Sequence, residues 1–132
     1  MHLSRKRFQE GFSKGYVFGE QCSWNTMKQE LVVCTQKIID LEDPVTLSES
    51  YEAYGFCVAV VCQSIVRFPV EVAQTSALKQ AIDACATTLY PQAKEELAQT
   101  VVAQMRVLSD SPDAAEASAA TWLSKLYAKV RS

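Results

Sequence analysis

Between Tyr51 and Val70 the chain reads YEAYGFCVAVVCQSIVRFPV, and from Phe56 to Cys62 it offers no polar side chain. Coiled as a helix, that run is apolar on every side, and a surface helix always keeps one wet face. Such a helix is either the core of a helical domain or a membrane span. A span needs ~20 apolar residues, whereas Gln63 and Arg67 close this run early. The stretch therefore predicts a buried central helix with other helices laid around it.

At 132 residues the chain is expected to form one domain and to bury roughly two-thirds of its unfolded surface. Apolar residues make up 48 % and charged residues 21 %, which places it with folded rather than disordered chains. The net charge of −2 supplies no global positive field, so nucleic acid and anionic membrane are disfavoured as partners. The basic start, MHLSRKRFQEGFSKGYVFGE, lacks the continuous apolar core of a secretory signal.

Two interleaved columns occupy residues 4–19: Phe8, Phe12, Tyr16 and Gly11, Gly15, Gly19. Residues four apart share a helix face, so a helix here carries an aromatic ridge beside a glycine groove. Each glycine costs ~1 kcal/mol inside a helix, and that leaves two readings for residues 1–19. They form a loose basic arm, or an interface helix that orders on a partner or a second copy. Residues 20–132 are expected to form the bundle proper.

Trp24, Met27, Leu31, Cys34, Ile38 and Leu41 recur at alternating spacings of three and four, the signature of an amphipathic helix. It should stop at Glu42-Asp43-Pro44. Thr46-Leu47-Ser48-Glu49 has capping-box spacing just before the central stretch. Along that stretch Glu52, Gly55, Ala59, Gln63 and Arg67 line up as a polar or small stripe, where a neighbour crosses closely or water enters. Arg67 also stands where it complements its own helix dipole.

Further helices follow from Leu78, Ala81, Ile82, Cys85 and Leu89, begun at Thr75, Ser76 or Pro69, and from Ala93, Leu97, Val101, Met105 and Leu108. The last should start with Ser111 as cap and Pro112 as first residue, burying Ala115, Ala119, Trp122, Leu126 and Val130. The expected fold is an all-α, single-domain bundle of five to six helices packed around an apolar central helix spanning about 47–68.

Catalytic constellations are missing. The one histidine, His2, stands at a terminus, and a catalytic base must be held rigidly beside its nucleophile. No catalytic residue, metal site or cofactor is therefore assigned. Cys22, Cys34, Cys57, Cys62 and Cys85 are odd in number and contain no CxxC pair, which reads as five buried thiols in a cytoplasmic protein. An oxidising compartment would instead permit Cys22–Cys34 or Cys57–Cys85. Asp40, Glu42, Asp43, Glu49 and Glu52 concentrate acid around one loop, without the ligand spacing of a calcium site.

Two functions fit. The first is a non-enzymatic helical interaction module: an adaptor, chaperone or regulatory subunit, in one form an immunity- or antitoxin-like inhibitor, able to form a homodimer. Its partner-binding residues would be Phe8, Phe12, Tyr16, Asp40, Glu42 and Asp43. The alternative is a helical sensor or carrier holding a small apolar ligand among Trp24, Tyr51, Tyr54, Arg67 and Trp122.

Overall fold

The computed structural model describes residues 2–40, 48–88 and 91–131, which form seven helices and no strand. The chain is an all-α bundle, and its centre is the helix α3 (Ser48–Arg67). Every residue from Cys57 to Ile65 is buried, so the apolar run is wrapped on all sides as its composition requires. The two polar residues caught inside are both satisfied. Ser64 Oγ donates to the Val60 carbonyl at 2.8 Å and Gln63 Nε2 donates to the Tyr16 carbonyl at 3.2 Å.

Around α3 stand α1 (His2–Gln21), α2 (Trp24–Asp40), α5 (Ala77–Thr88) and α6 (Pro91–Ser109). The short α4 (Pro69–Ala73) turns the chain after α3, and α7 (Ala114–Arg131) closes over α4, α5 and α6. The α2 seam is as its periodicity demands, with Met27, Leu31, Cys34 and Ile38 buried. Leu41, Glu42, Asp43, Thr46, Leu47, Leu89 and Tyr90 lie outside the described residues.

Residues 2–19 are helical, and the two small-residue stripes of the sequence pack on each other. Gly11 meets Glu52, Gly15 meets Phe56 and Ala59, Gly19 meets Gln63, and Gly55 meets Phe8 and Phe12. The two numberings rise together, so α1 and α3 run parallel. A Cβ on Gly15 would stand 2.6 Å from the Phe56 carbonyl oxygen, and one on Gly19 would stand 2.7 Å from Gln63 Cβ. At Gly11 and Gly55 the overlap with the facing backbone oxygen is deeper still. Small residues on both helices let the backbones come together, the packing device best known from membrane helices. Among the described residues, however, no helix is long and apolar enough to cross a membrane.

Arg67 completes this pair. Its guanidinium donates to the Gly19 carbonyl and, at 2.7 Å, to the Cys22 carbonyl. These belong to the carbonyls that the end of a helix leaves without partners. Arg67 also occupies the last turn of α3, so one cation serves the negative ends of two parallel helices.

Two details differ from the sequence expectation. The cap of α7 is Asp113, not Ser111, because Asp113 Oδ1 accepts from the backbone N–H of Ala115 at 2.8 Å and of Glu116 at 3.2 Å. Ser111 instead accepts from Asp113 N–H at 3.2 Å. Along α7 the buried face is Ala119, Ala120, Leu123, Leu126 and Val130, while Ala115 is exposed and Trp122 half-buried. Pro69 begins a helix of its own, and Thr75 Oγ1 accepts the Ala77 N–H at the head of α5.

Candidate functional site

Seven large apolar side chains bear on one question, namely which surface is left without cover. Val107 is 66 % exposed, Ile39 61 %, Val32 57 %, Val17 55 %, Val66 44 %, Val33 43 % and Tyr16 37 %. Single exposed apolar residues are ordinary, whereas contiguous ones in a concave setting mark binding surfaces. Three of these meet in a recess of about 470 Å³ between α1, the end of α3 and α6. Its apolar wall is Phe12, Tyr16, Val66, Ala103 and Val107, and Glu96, Gln99, Thr100 and Gln104 supply the polar edge.

The aromatic column explains how α1 contributes. Phe8 and Phe12 stack at 6.3 Å between ring centroids, and Phe12 and Tyr16 at 5.7 Å. Phe8 is 2 % exposed and belongs to the core, so it offers no surface to a partner. The column climbs from the core at Phe8, through half-buried Phe12, to Tyr16 at the rim.

Glu96 gives the recess its charge. No lysine or arginine lines the recess, and no ion pair of Glu96 is present among the described residues. Half burial without a counter-ion pushes its carboxyl above the usual value.

The other recesses are less distinctive. One of about 320 Å³ beside Phe56 and Cys57 is edged by Lys14, Glu30, Lys37 and Glu52, and its charges balance. Lys14 and Glu52 already pair at 2.5 Å. Another, of about 420 Å³, sits between α4 and α7 against Val70 and Trp122.

The remaining expected site residues are dispersed. Asp40 is exposed at the end of α2 and accepts from Gln36 Nε2 at 2.8 Å. Tyr54 is fully buried and Tyr51 nearly so, Trp24 packs on Phe68 with centroids 5.4 Å apart, and Arg67 is engaged with α1. Of the five residues expected to line a ligand pocket, only Trp122 borders any of these recesses.

All five cysteines are buried and free. Cys57 Sγ donates to the Cys34 carbonyl at 3.8 Å. The side-chain contact with Cys57 and then burial push the Cys34 thiol up, while burial pushes Cys85 up and Cys62 to about 12. At neutral pH these three are protonated, and a thiol is a poor nucleophile beside a thiolate. Among the described residues no three His, Cys, Asp or Glu side chains are grouped to hold a metal ion. No protein-family model matches the sequence, no curated protein matches it, and no solved structure matches the fold.

Proposed function

We propose that this chain is a non-catalytic protein-binding module whose recess between α1, α3 and α6 receives a helix from a partner. The observation that carries this reading is the concave apolar wall of Phe12, Tyr16, Val66 and Val107, left uncovered beside an unpaired carboxylate. The recess is built wholly of helices, whose backbone groups are already bonded, so it offers no strand edge for β-augmentation. An amphipathic helix laid into an apolar groove is the mode its elongated apolar wall fits.

A photoreactive amino acid placed at Val107 in the expressing cell tests this reading, with the same probe at exposed Gln80 of α5 as control. A discrete protein adduct is expected at position 107 and none at position 80. Cross-links equal at both positions, or none at 107, would reject the recess as a binding surface.

A further inference from the structure

A surface with the charge and the exposed apolar side chains to face the recess exists on the chain itself. While α2 turns Met27, Leu31, Cys34 and Ile38 inward, its outer face carries Lys28, Val32, Gln36 and Ile39. Val32 and Ile39 are more than half exposed, and they share a face because they stand seven residues apart. Lys28 is exposed and has no ion pair among the described residues.

We infer that the recess of one copy seats the outer face of α2 from a second copy, with Lys28 meeting Glu96. This rests on the protein-binding reading above and names its partner. The spacing agrees along both helices. Lys28 to Ile39 and Glu96 to Val107 are both eleven residues apart in the sequence, about 16 Å of helix in each case. With the two helices parallel and crossing at a shallow angle, Lys28 stands opposite Glu96 and Val32 opposite Thr100. Gln36 then stands opposite Gln104, and Ile39 opposite Val107. The carboxylate gains the cation it lacks, amide faces amide, and the apolar residues of the α2 face come down on Phe12, Tyr16, Val66 and Val107.

The two surfaces lie on different helices, so the contact is made twice across a two-fold axis or, without one, runs head-to-tail. Head-to-tail contacts build a ring where the rotation closes and an open chain where it does not. Each outcome allows one decisive experiment. Ile39→Asp removes the α2 face and leaves the recess, while Val107→Asp removes the recess and leaves the α2 face. Both positions are more than half exposed, and circular dichroism and melting curves check that both variants fold.

In sedimentation velocity the wild type should gain mass with concentration, each variant alone should stay a monomer, and their equimolar mixture should form a capped one-to-one dimer. Lys28→Glu should weaken wild-type association about tenfold, and combining it with Glu96→Lys should restore it. A mixture that stays monomeric, variants that associate alone, or a wild type that is monomeric throughout would overturn the inference. A monomeric wild type whose position 107 still cross-links a different protein would overturn self-pairing alone. A position 107 that captures nothing would overturn the protein-binding reading with it.

Discussion

At Gly11 the carbonyl of Glu52 occupies the space a methyl group would need, and this reverses the usual effect of an alanine substitution. In an open helix interior, Gly→Ala stabilises by about 1 kcal/mol. Here the added carbon meets backbone, which cannot swing aside as a flexible side chain can. Gly11→Ala is therefore expected to destabilise by about 1–3 kcal/mol, the range of an overpacked core, while Ser13→Ala on the exposed side of α1 stays near neutral. Urea unfolding followed by tryptophan fluorescence reads both. A Gly11→Ala protein more stable than wild type would mean that α1 does not lie against α3. The glycine column was plain in the sequence, and so was the Gly55/Ala59 stripe. That each was the other's partner was not legible, because helical periodicity describes one helix at a time.

Among the elements, α1 depends on a neighbour for its C-terminal end, since the Arg67 guanidinium of α3 closes the carbonyls of Gly19 and Cys22. Arg67→Met keeps the length and much of the packing of the side chain but removes the donors and the charge. Hydrogen bonds to charged groups contribute about 1.5–3 kcal/mol, and partial exposure of Arg67 places the expected loss near the lower end. Amide exchange should quicken over residues 18–22 and stay unchanged in α5 to α7; uniform acceleration would assign Arg67 to global stability rather than to this end of α1. Strong apolar periodicity made α2 and α6 legible in the sequence, and the unbroken apolar run did the same for α3. The start of α7 was not, because Ser111 and Asp113 both favour the cap and only the Asp113 carboxylate faces the free N–H groups. The site was half legible: Phe12 and Tyr16 followed from the aromatic column, but Glu96 and Val107 merely fell off the α6 stripe. The recess comes from how α1 and α6 cross α3, and no single helix encodes a crossing.

For the molecule as a whole, acid should loosen the bundle through the ion pairs that tie its helices together. Lys14 to Glu52 joins α1 to α3 at 2.5 Å, and Arg131 to Glu95 joins α7 to α6 at 2.5 Å. The hydrogen bond from Lys14 holds the Glu52 carboxyl below its usual value, and that from Arg131 does the same for Glu95. A carboxyl lowered in the folded state contributes stability above its unfolded value and loses that contribution as pH falls through the folded one. Glu96 has the opposite sign, since burial raises it and its protonation favours the folded state as pH falls. Glu52 and Glu95 should therefore pull the urea midpoint down as pH falls through their folded values, while Glu96 opposes them. Replacing Glu52 and Glu95 with glutamine should flatten that dependence. Glu96→Gln should steepen it, because the offsetting gain is gone. A double variant that keeps the wild-type slope would show that other carboxylates set the acid response. Glu96 also links this titration to assembly: the carboxylate that weakens the isolated fold at neutral pH is the one that Lys28 of a second copy would neutralise. Self-pairing should therefore fade on acidification over the same range in which the Glu96→Gln protein departs from wild type.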